Sequence, residues 1–106
     1  MTKDEIAREV AEKVMGWTVQ DTKKLYYYEP AILISDWNPA ERWDHAGMVV
    51  EKMKQLGWKF HLADGMFGMN YLCAFYRGSH SDSLQADTAQ MAICLAALEA
   101  AKERLP

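Results

Sequence analysis

NPAERWDHAGMVVEKMKQLGW, residues 38–58, is the stretch that decides the fold. Asn38 is a preferred N-cap, Pro39 fits the first helical position, and Glu41 stands where a capping-box carboxylate belongs. Trp43, Ala46, Val50, Met53 and Leu56 recur on one face at helical spacing, and Gly57 ends the run. The stretch therefore predicts a helix from about residue 39 to residue 56, with Trp43 on its buried side. His45 falls off this apolar stripe, and Trp37, just before the cap, is expected to be exposed. Gly47 inside the helix costs about 1 kcal/mol against alanine, which predicts close approach of another backbone or ring there.

Working outward, WKFHLAD (58–64) alternates like a strand, with Trp58, Phe60 and Leu62 on one face and Lys59, His61 and Ala63 on the other. GMFG reads as a turn. MNYLCAFYRG returns as a second antiparallel strand, apolar on both faces and so expected to be covered on both. GSHSDS reads as a polar loop. ADTAQMAICLAALEAAKERL is an alanine-rich helix capped by Asp87 or Thr88. Upstream, Thr2 and Glu5 form a capping box for a helix over 2–15, closed by Gly16, with Trp17 packing back on its last turn. Residues 18–24 read as a loop. KLYYYE has the aromatic content of a strand, with Tyr26 and Tyr28 on one face, and AILIS divides evenly between strand and apolar loop. The order α-β-α-β-β-α predicts an α+β domain over 1–106, a layered α-β-α sandwich with a small, mainly antiparallel sheet.

The chain has 106 residues, a net charge of −3 and four tryptophans. Its length suits one small core. The absence of a dense basic run argues against duplex nucleic acid as a partner. No apolar run is long enough to span a membrane, and the charged N-terminus does not read as a signal peptide, so a cytoplasmic protein is expected. Cys73 and Cys94 lack any metal-ligand spacing. The spacing leaves a disulfide open, but two buried free thiols are the favoured reading.

Three separated pieces, AEKVMGW (11–17), the 38–58 stretch and LQADTAQMAICLAALEA (84–100), together resemble the phage ABA-sandwich domain family of small phage and prophage proteins. The resemblance implies a layered sandwich and a phage accessory product acting in a bacterial cytoplasm. It implies no established family-wide activity and no catalytic residues to carry over, and no cofactor is expected. The chain departs from the family pattern along the central helix. It has Trp43 where an aliphatic residue is usual, His45 where an aspartate is common, and Gly47 where a tryptophan is expected. A pocket bordered by this helix should therefore be particular to this chain.

No nucleophile–base pair, phosphate loop or metal motif is present, so no catalytic or metal-binding residue is assigned. Asp44 and His45 are helix neighbours and point apart. Asp64, Asp82 and Asp87 are explained by turns and caps. The candidate ligand-binding residues are Tyr26, Tyr28, Trp37, Trp43, His45, His61, Arg77 and His80. Aromatic rings beside a helix N-terminus suit a nucleotide-like ligand. Arg77, beside the serine-rich loop carrying His80, offers a fork for phosphate or carboxylate. The expected function is that of a non-enzymatic binding protein, acting in counter-defence by sequestering a nucleotide-type host signal in a pocket between subunits of a homo-oligomer. The alternative is an accessory protein that blocks a host defence protein through a protein–protein interface.

Overall fold

In a computed structural model, which describes residues 2–20, 25–27, 32–64 and 70–102, the first helix begins with the expected capping box. The Thr2 hydroxyl accepts from the Glu5 N–H at 3.1 Å, and the Thr2 N–H donates to the Glu5 carboxylate at 3.2 Å. The helix, α1 (Lys3–Glu9), runs on as a π-helical turn over Val10–Val14, marked by Met15 N–H donating to the Val10 carbonyl at 3.0 Å. Gly16 takes φ +74°, and the Trp17 N–H closes back on the Ala11 carbonyl at 2.9 Å. Ile6, Val10, Ala11 and Val14 are buried, as their spacing requires.

A first antiparallel sheet joins β1 (Thr18–Gln20), β2 (Leu25–Tyr27) and β3 (Ile32–Leu33). Residues 18–20 are thus strand rather than loop, and AILIS contributes a two-residue strand. Residues 34–36 turn instead, with the Asp36 and Trp37 amides both donating to the Leu33 carbonyl.

The central helix, α2 (Trp43–Gln55), starts four residues later than Asn38 and Pro39 suggest. Residues 38–42 form a separate turn, in which the Glu41 and Arg42 amides donate to the Asn38 carbonyl. The Glu41 carboxylate accepts from the Asn38 side chain at 2.9 Å and pairs with Lys3, so it caps nothing. Starting at Trp43 changes the buried face to His45, Ala46, Val49 and Met53. Trp43 is 59% exposed, which corrects its expected burial, and His45 lies on the buried side rather than off it. Gly47 is also corrected: a Cβ there would meet nothing within 4 Å.

The second sheet has the order β4 (Lys59–Asp64), β5 (Tyr71–Arg77), β6 (His80–Ala86), all antiparallel. Phe60 and Leu62, Cys73 and Phe75, and Leu84 and Ala86 share the face turned to the core. The opposite face carries Lys59 and His61, Leu72, Ala74 and Tyr76, and Ser81, Ser83 and Gln85. Tyr76 is 38% exposed, so β5 is not covered on both faces as expected. The polar segment read as a loop is the strand β6, reached through a two-residue turn with Gly78 at φ +62°. Its serines face outward, so it lacks the apolar signature of a strand.

The last helix, α3 (Ala89–Lys102), is capped by Thr88, whose hydroxyl accepts from the Met91 N–H at 3.2 Å. It is packed against β5 and β6, and also against α2 and the π-helical turn. Its buried residues, among them Ala92, Ala96, Ala97 and Ala100, cover most of its circumference and leave the strip of Met91, Leu95, Glu99 and Lys102 towards solvent. A helix with so wide an apolar face is packed by several elements at once, and alanine lets them approach closely. The result is an α+β fold of three helices with small antiparallel sheets. Among the described residues no helix is long and apolar enough to cross a membrane.

Candidate functional site

The expected binding edge beside the helix start resolves into a packed polar cluster. Trp37 is 3% exposed, correcting the expectation that it faces solvent. Its indole N–H donates to the Ala7 carbonyl at 2.9 Å, tying the turn to α1. Its ring stacks on His45 at 4.9 Å and meets Trp17 edge-on at 4.6 Å. The Asn38 N–H donates to His45 Nδ1 at 2.9 Å. Nδ1 is therefore the unprotonated nitrogen, and the neutral ring carries its proton on Nε2. Burial is the main force holding the His45 pKa below its ordinary value; the Arg42 charge adds to it, and Asp44 and Asp36 oppose it. A histidine so buried and bonded is a structural group. It joins Trp37 to the start of α2.

Trp43 stands apart from that cluster. The other three tryptophans are 3–5% exposed, so Trp43 alone presents its ring to solvent. A separate open cleft of about 470 Å³ runs along α2 with Met15, Trp17, Asp44, Gly47, Met48 and Glu51 on its walls, and Trp43 does not line it. The first turn of α2 already carries a carboxylate. Asp44 accepts two hydrogen bonds from Arg42, at 3.1 and 2.7 Å, which hold its pKa below the usual range. That charge answers the helix dipole from within and would repel an incoming phosphate.

Cationic groups gather at the opposite end of α2. Lys52 and Lys54 lie in its last turn, Lys59 opens β4 and Arg77 closes β5. The Arg77 guanidinium lies over the Trp58 ring, 4.6 Å from its centroid. One of its N–H groups donates to the Leu56 carbonyl at 3.1 Å, at the end of α2. Among the described residues Arg77 makes no ion pair. His80 pairs with Arg77 in the β5–β6 register and meets the Trp58 ring edge-on at 5.7 Å. The Trp58 indole N–H is buried without a hydrogen-bond partner among the described residues. On the outer face of the sheet, Tyr76 is the direct cross-strand neighbour of Lys59, and exposed His61 lies two residues along β4.

Of the candidates read from sequence, Trp37 and His45 come together, as do Arg77 and His80. His61 lies near the second pair on the other face of the sheet, and Trp43 is separate. For Tyr26 only the backbone, in β2, is described, and Tyr28 lies outside the described residues. The residue missed was Trp58. Lys59 opposes Tyr76, so extending the register one step sets Trp58 against Arg77, which in turn opposes His80. That row could be read from sequence only with the hairpin register known, and GMFG does not specify one.

Cys73 and Cys94 are fully buried free thiols, and burial pushes both up to about 12. They are unsuited to nucleophilic work at neutral pH.

The family model of the phage ABA sandwich domain matches residues 8–98. Among solved structures, a 2.0 Å crystal structure of a phage protein from Bacillus cereus is similar, with a TM-score of 0.71 and 22% sequence identity. The similarity covers 92% of this chain and 90% of that one, and at this identity it bears on the fold alone. No curated protein matches the chain.

Proposed function

This chain belongs to the phage ABA sandwich domain family, and from that premise we propose that it is a non-catalytic, phage-encoded binding protein that sequesters a small anionic ligand of nucleotide type. The observation that carries the reading is Arg77: an exposed residue, free of any ion pair among the described residues, whose guanidinium lies over the Trp58 ring and bonds the Leu56 carbonyl. Stacking fixes the fork, so little side-chain entropy remains to be lost when it grips a phosphate. Lys52, Lys54 and Lys59 raise the potential at the same end of a chain whose net charge is −3. The neutral, bonded His45 and the buried thiols support the non-catalytic part of the reading. Interception of a host nucleotide signal is the counter-defence role that fits such a protein.

The test is thermal stabilisation by ADP-ribose and by cyclic dinucleotides, since a ligand that binds only the folded form raises its unfolding temperature. A shift that grows with ligand concentration, shrinks with added salt and vanishes in Arg77→Ala is expected. Recovery of intact ligand after denaturation separates binding from turnover. No stabilisation by any nucleotide, or the same shift in Arg77→Ala, rejects the reading. The second reading is a phage accessory protein that binds and inhibits a host defence protein; the exposed Trp43 ring favours it, since tryptophan is enriched among the hot spots of protein interfaces.

A further inference from the structure

The free edge of the second sheet and the solvent strip of α3 face the same way. In the order β4-β5-β6, the seven-residue strand β6 has a neighbour on one side only. The two-residue turn makes Arg77 and His80 the closing pair of the hairpin. Ladder bonds alternate along an antiparallel pair, so the amides and carbonyls of Ser81, Ser83 and Gln85 point away from β5. Neither proline, lysine nor a bulge blunts this edge, whereas the other edge strand, β4, exposes Lys59, His61 and Asp64. Helix α2 packs against α3 and β4, which leaves the strip of α3 on the opposite side, above β6. Leu84 of β6 lines a cleft of about 140 Å³ with Leu95 and Leu98 of α3, and Ala86 lines another with Met91. An apolar seam thus runs beside a row of unpaired backbone groups.

We infer that β6 is the interface of a two-fold homodimer, paired antiparallel with β6 of a second copy so that three strands from each make one continuous sheet. An edge of unpaired amides and carbonyls is a template for another strand, and the sequence of β6 suits a copy of itself. With the axis at Ser83, that residue meets Ser83 of the second copy, and Ser81 meets its Gln85. Hydrogen-bonding side chains then stand opposite one another on the outer face. In the same register Asp82 is opposite Leu84 of the second copy, so the two aspartates do not face each other. The axis also brings the two α3 strips together, and the apolar seam of each copy is covered by that of the other. The charges at the rim of the seam cancel within each protomer, where Glu9 pairs with Lys13 and Glu99 with Lys102. A chain of net charge −3 can therefore meet its copy here without setting like charges against each other.

Sedimentation velocity of the full chain, from low micromolar to near-millimolar concentration, tests the inference. The wild type is expected to shift from monomer to dimer mass over that range. Ser83→Pro removes an outward amide that the protomer's own ladder does not use, and Leu95→Lys sets a like charge on both sides of the seam. Each is expected to weaken the dimer by about tenfold or more while keeping the wild-type circular dichroism spectrum. A short bis-maleimide gives an independent readout, because Cys73 and Cys94 are buried and an introduced thiol is the one within reach. It is expected to join two copies of Ser83→Cys and to leave Lys59→Cys, on the far edge of the sheet, unjoined. A wild type that stays monomeric at every concentration overturns the inference. So does a dimer that Leu95→Lys leaves intact, one joined through Lys59→Cys and not through Ser83→Cys, or a monomer whose β6 is covered only by a strand of a different protein. Arg77→Ala is expected to dimerise normally, so loss of nucleotide binding and loss of the dimer are read separately.

Discussion

The backbone N–H of Asn38 donates to Nδ1 of His45, 2.9 Å away, so a side chain in the first turn of α2 fixes the turn that precedes it. The bond requires the neutral ring. His45 has a folded-state pKa below its ordinary value of 6.5, mainly through burial. A depressed histidine pKa means the unfolded chain takes up the proton first. The stabilisation is therefore complete above about pH 6.5 and is lost as pH falls below it, through the folded-state value. Thermal unfolding from about pH 7.5 down to about pH 5.5 should show a falling midpoint. His45→Gln, whose side-chain carbonyl can accept the same bond without titrating, should flatten that decline. An unchanged slope in His45→Gln would show that other groups cause it.

Trp37 and Trp43 should respond very unequally to the same substitution. Trp37→Phe removes the donor to the Ala7 carbonyl and strands a buried acceptor, a loss of about 1–3 kcal/mol. Trp43→Phe leaves an exposed site and should stay within about 0.5 kcal/mol. Urea unfolding measures both.

Two glycines should also part company. Gly47→Ala should raise stability by up to about 1 kcal/mol, because alanine favours the helix and meets no neighbour. Gly57→Ala should lower stability by more than about 1 kcal/mol, because φ +94° disfavours any Cβ at that position. Urea midpoints compared at equal m-value report the two signs directly.

The thiols of Cys73 and Cys94 should be silent in the folded protein. Burial and a pKa of about 12 remove both access and thiolate at neutral pH. A disulfide-exchange reagent should label neither cysteine in the native state and both in urea. Rapid native labelling would mean that α3 separates easily from β5.

The elements and their class were readable because α2, β4 and β5 each carry a clear apolar period. The phase of α2 was not. Asn38-Pro39-x-Glu41 has the composition of a helix start, yet the Asn38 amide goes to His45 and Glu41 goes to Asn38 and Lys3. Only the Lys3 pair is long-range; the other two are local bonds that compete with the cap for the same groups, and the displaced start exchanged the roles of Trp37 and Trp43. The strand β6 was hidden for a different reason. It lies at a sheet edge with serines towards water, and pairing with β5 rather than propensity makes it a strand. The Trp58–Arg77–His80 row needed the hairpin register, which neither strand states alone.

The alanines of α3 carry a consequence for how relatives of this chain can diverge. Ala92, Ala96, Ala97 and Ala100 are fully buried, on a helix that has β5 and β6 on one side and α2 with the π-helical turn on another. Each larger residue there must push a whole element outward, so drift along this helix requires matched changes in at least two neighbours. The outward ridge of α2 carries no such restriction. Homologues should thus keep small residues along α3 while Trp43 and Gly47 vary from one phage to the next.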